Sequence, residues 1–158
     1  ASNHGCSLHG GTGADTLLGG NGSDEFEFAQ GEGTEALFLD DGTVGLNDGD
    51  TFTFNSGVDT IQNFGSGDVI DFETPDNFSF GVSPMESVPA DGLVIDQQYF
   101  LVQGNISGTT FTAASGGADT LIVYDNDPTG GVSQAGVVVS GVTPTGLTCS
   151  GNQILKAA

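Results

Sequence analysis

Residues 10–28, GGTGADTLLGGNGSDEFEF, contain two successive units of nine residues with the pattern Gly-Gly-x-Gly-x-Asp-x-apolar-x. Asp15 of the first unit recurs as Asp24 in the second, and Leu17 recurs as Phe26. The three glycines of the pattern recur at the same interval. A fixed period is typical of architectures that stack one short structural unit on the next. Because five positions keep the period, we interpret the segment as a structural repeat rather than as a flexible linker rich in glycine and aspartate.

Each unit has the chemistry that a bound calcium ion requires. Glycine adopts positive φ without a steric penalty, so the start of a unit can form a tight turn whose carbonyl oxygens converge. Calcium is coordinated by about six to eight oxygen atoms from carboxylates and carbonyls. The aspartate supplies charge, and the last three residues form a short strand whose central apolar side chain points inward. The predicted calcium ligands are Asp15 and Asp24 with the turn residues Gly10, Gly11, Thr12, Gly13, Gly19, Gly20, Asn21 and Gly22.

The two units resemble the nonapeptide repeats of the RTX (repeats-in-toxin) family of secreted calcium-binding proteins. The resemblance implies a parallel β-roll in which a calcium ion lies between turns that are two repeats apart on the same side. Asp15 and Asp24 are one repeat apart, so they would lie on opposite sides of the roll. Each of them therefore needs a partner turn two repeats away.

The segments that flank the two units are degenerate copies of the repeat. Residues 1–9 keep the period with Leu8 at the apolar position, but Cys6 stands at the aspartate position. Residues 28–33 continue the period on the other side and place Glu32 near the ligand position. Either carbonyls and these imperfect partners complete the calcium sites, or another molecule completes them.

Composition sets the conditions under which such a chain can fold. Its 158 residues carry a formal net charge of −20, from 21 acidic residues against one basic residue, Lys156. This chain repels itself unless cations neutralise it. A hydrophobic content of 36% with 11 phenylalanines supports a folded core, so we predict disorder without calcium and folding with it. We expect no nucleic-acid partner, because phosphates would not be neutralised, and no membrane insertion, because no apolar run approaches ~18 residues.

Short alternating apolar segments separated by glycine and aspartate predict strands along the whole chain. Clear examples are TFTF at residues 51–54 and TLIVY at residues 120–124. No window shows a convincing helical apolar period. The predicted fold class is all-β, with a short calcium-binding parallel β-roll followed by a mostly antiparallel β cap or sandwich. The roll would span residues 1–33 and the cap residues 34–158, or the two would form one continuous domain.

Two further segments resemble RTX proteins. Residues 50–72 resemble the strands that follow the nonapeptides and cap the roll, and residues 118–142 resemble a C-terminal part in which an acidic turn joins two strands. Together with the imperfect repeat, they imply weaker candidate calcium ligands. These candidates are Glu32, Asp50, Asp59, Asp68, Asp71, Asp125 and Asp127. For the four aspartates of residues 50–72, the alternative is a turn-forming acid or an acid at the start of a strand.

The two cysteines, Cys6 and Cys149, lie near opposite ends of the chain. In an extracellular protein an even number of cysteines favours a disulfide, so we predict a Cys6–Cys149 bond. In the chain-entropy model a loop of this length would contribute roughly 4–5 kcal/mol to stability. Two unpaired thiols, or bonds to other chains, are the alternatives.

Motifs for catalysis are missing from the sequence. It contains neither the zinc-protease pattern HExxH nor the nucleophile elbow G-x-S-x-G, and we predict a protein that is not an enzyme. We expect a secreted bacterial calcium-binding protein, extracellular or at the cell surface. It would self-assemble into a homo-oligomer or polymer such as a surface layer, matrix or filament, because a short roll leaves two open ends with unpaired strand edges. The alternatives are a C-terminal calcium-dependent folding and secretion module of a larger exported enzyme, toxin or adhesin, and a carbohydrate-binding β-sandwich.

Overall fold

The computed structural model describes residues 4–29, 31–33, 36–39, 46–73, 83–84, 98–125 and 134–157. Within these ranges the regular structure is strands and one 3-10 turn, Pro144–Gly146, with no α-helix. The predicted all-β class is therefore confirmed. Across the described ranges, no helix has the length and apolar character that a membrane span requires. The strands are β1 (Ser7–His9), β2 (Thr16–Leu18), β3 (Glu25–Ala29), β4 (Ala36–Leu39), β5 (Thr51–Phe54), β6 (Asp59–Gln62), β7 (Val69–Glu73), β8 (Ser83–Pro84), β9 (Gln98–Ser107), β10 (Thr110–Ala113), β11 (Asp119–Asp125), β12 (Gln134–Val139), β13 (Leu147–Ser150) and β14 (Gln153–Lys156).

These strands form two sheets that the chain enters alternately. The five-stranded sheet has the order β1-β3-β7-β14-β13, and the nine-stranded sheet has the order β2-β6-β12-β11-β9-β10-β5-β4, with β8 also paired to β9. Strands β1, β3 and β7 pair in parallel, as do β2 and β6. We call these five short strands the parallel stack. Successive strands of the stack belong to opposite sheets, as the nine-residue period predicts.

The pairing of β1 with β3 follows the predicted register. Leu8 lies opposite Phe26, and Cys6 lies beside Asp24, 18 residues further along the chain. Residues 4–9, the described part of the degenerate first repeat, thus lie beside the second unit as expected. Although Cys6 cannot supply a carboxylate there, its apolar neighbour Leu8 still packs against the core.

The partner turn predicted for Asp15 is wrong. Strand β2 pairs with β6, so that Leu17 lies opposite Ile61, and Asp59 takes the position that residues 28–33 were expected to fill with Glu32. If the nine-residue period continued without interruption, Glu35 would follow Leu17 and Phe26 at the inward position. An unpaired carboxylate is costly to bury there. The residue opposite Leu17 is instead Ile61, which is fully buried. The repeat therefore resumes at β6 after an insertion, and β6 and β7 belong to the parallel stack rather than to a cap.

The remaining strands are mostly antiparallel. Strand β11 pairs with β12 on one side and with β9 on the other, and β9 also pairs with β10; all three pairs are antiparallel. Beyond β10 the sheet continues with β5 and then β4. In the other sheet, β14 pairs with β7 and β13 closes a hairpin with β14. Consequently β7 and β6 are covered by later strands, whereas β1 and β2 are sheet edges at the same end of the parallel stack.

The core explains why the sequence alternates as it does. One buried cluster lies between the two sheets and contains the inward residues of the parallel stack. A second cluster lies on the opposite face of the nine-stranded sheet. Strand β11 contributes Ile122 and Tyr124 to the first cluster and Leu121 and Val123 to the second. Its two faces are both buried, which accounts for its continuous apolar run. The inward residues of the stack in the first cluster are Leu8, Leu17, Phe26, Ile61 and Ile70.

Candidate metal centre

The parallel stack places the repeat aspartates one above another on two sides. We call the turns at residues 10–15 and 55–59 the Asp15 side, and the turns at residues 19–24 and 63–68 the Asp24 side. The side-chain spacing is set by the parallel pairing, in which equivalent residues of neighbouring strands lie next to each other. Asp15 therefore meets Asp59, and Asp24 meets Asp68. Both pairs are separated by 44 residues in the chain.

On the Asp15 side, the main-chain nitrogen of Asp15 donates a 2.8 Å hydrogen bond to Oδ1 of Asp59. The main-chain nitrogen of Thr60 donates in turn to the carbonyl oxygen of Asp15 at 2.9 Å. Gly57 allows the two turns to come into contact, because a Cβ at this position would lie 2.5 Å from the Cβ of Ala14. The φ of Gly57 is +88°, which also favours glycine. The two turns are thus packed directly on each other.

The electrostatics of the Asp15 side favour a positive charge. Asp59 is 3% exposed, whereas Asp15 is half-buried. Burial raises the pKa of the Asp59 carboxyl above its usual value, and the negative charge of Asp15 adds to the rise, although the Asp15 amide opposes it. Among the described residues, the hydrogen bond from that amide is the only one that this pair of carboxylates accepts. The pair therefore has carboxylate oxygens available to a cation.

On the Asp24 side, main-chain amides occupy the carboxylates. Cys6 donates to Oδ1 of Asp24 at 2.9 Å, and Gly20 donates to Oδ2 of Asp24 at 2.7 Å. Asp24 itself donates to Oδ1 of Asp68 at 2.9 Å, and Gly65 donates to Oδ2 of Asp68 at 2.7 Å. Both aspartates are 2% exposed. Each oxygen of the pair therefore accepts a main-chain hydrogen bond, which compensates the cost of burying the charges.

A side-chain amide also lies on the Asp24 side. The Nδ2 atom of Asn63 donates to the carbonyl oxygen of Gly19 at 2.7 Å and to that of Gly20 at 3.3 Å. Asn63 has a φ of 59°, and it is the one residue other than glycine with positive φ in the described part of the chain. The Gly19 and Gly20 carbonyls, which the sequence predicts as calcium ligands, thus face a hydrogen-bond donor.

Two of the weaker candidates serve the fold by accepting hydrogen bonds. Asp71 accepts one from Nδ2 of Asn152 at 2.8 Å and another from Nε2 of Gln153 at 2.6 Å, which fastens β14 to β7. Asp50 is 1% exposed and accepts from the main-chain nitrogen of Asn47 at 2.6 Å in the turn before β5. The Asp50 bond corresponds to the turn-forming alternative, whereas the Asp71 bonds join two strands.

The other weaker candidates belong to neither aspartate pair. Glu32 contacts His9 through Oε2 and Nε2 at 2.6 Å, with both side chains partly exposed. Asp125 is 1% exposed and lies opposite Gln134 at the end of the β11–β12 pair. Asp127 lies outside the described residues. The structure does not bring Glu32 or Asp125 into the pairs at Asp15 and Asp24.

A cleft beside the Asp15 side contains further titratable groups. Its lining includes His9, Glu27, Glu32, Asp59 and Tyr124. Burial raises the pKa of the Tyr124 hydroxyl above its ordinary value, and the charges of Asp59 and Glu32 add to this effect. Tyr124 therefore stays protonated at neutral pH and leaves the negative charge of the cleft on its carboxylates.

The described residues provide no side-chain cage for a metal ion. Among them, no three or more histidine, cysteine, aspartate or glutamate side chains form a group able to hold one. A calcium ion on the Asp15 side would therefore need main-chain carbonyl oxygens in addition to Asp15 and Asp59. Such a donor set suits calcium, which accepts carbonyl and carboxylate oxygens in flexible geometry.

The predicted Cys6–Cys149 disulfide is wrong for this structure. Both thiols are free, with Cys6 exposed and Cys149 partly buried. Cys6 precedes β1 and Cys149 lies in β13, and these strands are the two opposite edges of the five-stranded sheet. Four strand spacings amount to about 19 Å, whereas bonded cysteines have Cα atoms less than about 7 Å apart.

Asp59 and Asp68, which the sequence offered as weaker candidates, lie beside Asp15 and Asp24, whereas Asn63 was not among the candidates. A signal for the first two was present, because Asp59 and Asp68 are nine residues apart, as are Ile61 and Ile70. For Asn63 there was none, because its glycine-like backbone and its carbonyl acceptors depend on the pairing of β3 with β7. Comparison of the chain with models of known protein families and with curated proteins found no match.

Proposed function

We propose that this chain is a secreted, non-enzymatic calcium-binding structural protein of bacterial origin. It folds when it binds calcium and then assembles with itself outside the cell or at the cell surface. The observation that carries the calcium part of the proposal is the pair formed by Asp15 and Asp59, whose turns lie in contact and whose carboxylates have oxygens left for a cation. The nonapeptide pattern and its resemblance to calcium-binding RTX repeats support the same assignment.

The donor atoms on the Asp15 side fit a calcium ion. Asp15 and Asp59 would supply carboxylate oxygens, and the turns at residues 10–14 and 55–58 would supply carbonyl oxygens. A bound ion would neutralise the two neighbouring negative charges, one of which is buried. Removing this repulsion stabilises the packed turns, and the same packing holds β2 against β6.

The charge of the whole chain makes this site a folding switch. With a net charge of −20, the calcium-free chain resists compaction. Any ion that binds the folded form but not the unfolded form shifts the equilibrium towards folding. Extracellular calcium-binding modules have dissociation constants on the order of 10⁻⁴–10⁻³ M. The chain would therefore stay unfolded where free calcium is low and fold where calcium is abundant.

Circular dichroism during a chelator titration tests this switch. We expect the β-sheet signal to disappear in excess EGTA and to return when calcium is added in excess. Magnesium serves as the control cation, since it demands a small octahedral site and dehydrates reluctantly, and it should restore little of the signal. An unchanged spectrum in EGTA would refute calcium-coupled folding.

The edges of the sheets support the assembly part of the proposal. Strands β1 and β2 are both sheet edges at one end of the parallel stack, and Leu18 on β2 is 62% exposed. Unpaired strand edges readily pair with another chain. At the other end of the stack, β12 pairs with β6 and β14 pairs with β7. The stack therefore has one open end rather than the two expected from the sequence. A single open end favours a symmetric pair of chains at this surface, because a head-to-tail polymer needs two different surfaces.

Sedimentation velocity in about 5 mM calcium would measure this assembly. We expect a species larger than the monomer for the wild type and a shift towards monomer for Leu18→Asp, which adds a charge to the exposed edge. Leu155→Asp is the matched control, because Leu155 is 36% exposed on β14, away from the open end. A wild-type protein that sediments as a sharp monomer at high concentration would contradict self-assembly.

The same open end also favours a second candidate function. In a calcium-dependent folding and secretion module of a larger exported enzyme, toxin or adhesin, strands from other parts of that protein would pair with β1 and β2. Mass spectrometry of the natural protein distinguishes the two candidates. A mature species of this length supports the self-assembling subunit, whereas a much longer chain supports the module.

A further inference from the structure

We infer that Asn63 replaces a metal ion on the Asp24 side of the parallel stack, so that this side closes without calcium. Asp24 would then be a structural residue, and calcium would bind on the Asp15 side alone. The assignment of calcium to the Asp15 side rests on the proposed function, whereas the role of Asn63 does not.

The position of Asn63 in the stack makes this substitution possible. Strands β3 and β7 pair with Glu25 opposite Val69, so the turn at residues 63–68 lies on the turn at residues 19–24. Asn63 thus occupies the position that Gly19 has in the second unit. Its φ of 59° lies in the left-handed region, which asparagine tolerates better than most other side chains.

The side chain of Asn63 supplies donors where a cation would be needed. Its Nδ2 group carries two hydrogens, which point at the carbonyl oxygens of Gly19 and Gly20 at 2.7 and 3.3 Å. An amide nitrogen donates hydrogen bonds and accepts none. Two carbonyls that would otherwise coordinate calcium are therefore satisfied by a neutral group. A cation at the same place would have to displace the amide and approach its partially positive hydrogens.

The carboxylates on this side are satisfied as well. The four oxygens of Asp24 and Asp68 accept hydrogen bonds of 2.7–2.9 Å from the amides of Cys6, Gly20, Asp24 and Gly65. Hydrogen bonds to a charged acceptor are stronger than neutral ones. The buried charges are thus compensated by main-chain dipoles. The Asp15 side differs, since its carboxylates accept one described hydrogen bond, from the amide of Asp15.

Asn63→Gly provides the most direct test, because glycine keeps the positive φ and removes only the amide. In excess EGTA, under conditions where the wild type retains structure such as high sodium sulfate, we expect the thermal midpoint to fall by about 3–6 °C. Asn55→Gly is the control, since Asn55 is exposed in the turn on the Asp15 side, and it should change the midpoint much less. An equal midpoint for Asn63→Gly and the wild type would overturn the role of Asn63.

Two measurements extend the test beyond this variant. Calorimetric calcium titration should give the same stoichiometry for Asp24→Asn and the wild type, while Asp15→Asn should lose calcium binding. Equal losses in Asp24→Asn and Asp15→Asn would overturn the assignment to one side. Amide hydrogen exchange of the wild type in EGTA with the same high sodium sulfate needs no variant, and we expect protection of the Gly20 and Gly65 amides. Rapid exchange at both would contradict the inference. If the wild type binds no calcium at all, the proposed function fails, and the exchange and midpoint results still decide the role of Asn63.

Discussion

The main-chain nitrogen of Asp15 lies 2.8 Å from a carboxylate oxygen of Asp59, although 44 residues separate the two in the chain. This contact joins the first complete repeat to a repeat that resumes after an insertion. It also brings two carboxylates together. The proposed calcium switch and the continuity of the parallel stack therefore depend on the same pair.

Two neighbouring glycines in the antiparallel part should respond very differently to substitution by alanine. A Cβ on Gly117 would lie 2.2 Å from the carbonyl oxygen of Gly104, whereas a Cβ on Gly116 would have no atom within 4 Å. Because the obstacle is backbone, Gly117→Ala should lower the free energy of unfolding by about 1–3 kcal/mol or more. Gly116→Ala should change it by less than about 0.5 kcal/mol. Urea denaturation in calcium measures both, and equal stabilities would contradict the packing of Gly117 on Gly104.

Asp71 should matter for stability and not for calcium. Its carboxylate accepts hydrogen bonds from the side chains of Asn152 and Gln153. Asp71→Ala therefore removes the acceptor of Gln153 Nε2 and leaves Asn152 Nδ2 with its 3.2 Å bond to the carbonyl oxygen of Phe72. We expect the free energy of unfolding to fall by about 1–3 kcal/mol. The calcium affinity measured by calorimetry should stay unchanged, because Asp71 lies outside both aspartate pairs. If Asp71→Ala bound one calcium ion fewer than the wild type, Asp71 would have to be a calcium ligand.

The two thiols should both be free in the calcium-bound protein. Ellman's reagent should titrate two thiols per chain after denaturation without reductant. Under native conditions Cys6 should react faster than Cys149, because Cys6 is exposed and Cys149 is partly buried. A reductant should leave the thermal midpoint unchanged. A mass two daltons lower than that of the reduced chain would reveal an intramolecular bond and contradict the placement of the cysteines at opposite sheet edges.

The sequence allowed the class of fold and one half of the parallel stack to be predicted. The alternation of apolar residues indicated strands, and the nine-residue period placed Leu8 opposite Phe26, as observed. The continuation of the stack was harder to foresee, because the insertion between Ala29 and Asp59 interrupts the period. Local spacing therefore favoured Glu32, whereas burial of an apolar residue at the inward position favours Ile61.

The difference between the two sides of the stack could not be predicted from the repeat pattern alone. Asp15 and Asp24 occupy the same position of the glycine pattern in their units. Their environments differ through contacts that the pattern does not show, such as the Cys6 amide that binds Asp24. Asn63 meets Gly19 and Gly20 because of the long-range pairing of β3 with β7. The cysteines are a similar case, since their separation depends on the order of the strands in the sheet.

Thermal unfolding of the wild type and Asp59→Asn in excess EGTA and in about 5 mM calcium tests the central claim most directly, with trimethylamine N-oxide in every sample so that the calcium-free chains stay folded. Asparagine keeps an acceptor oxygen for the Asp15 amide and removes the charge, so the variant should fold in calcium-free buffer at least as well as the wild type. At dissociation constants of about 10⁻⁴–10⁻³ M, this calcium concentration stabilises the folded chain by roughly 1–2 kcal/mol, which corresponds to a midpoint increase of about 2–8 °C. We predict this increase for the wild type and for Asp71→Asn, and little or none for Asp59→Asn. An equal calcium-induced increase in Asp59→Asn and the wild type would contradict calcium binding at the Asp15–Asp59 pair.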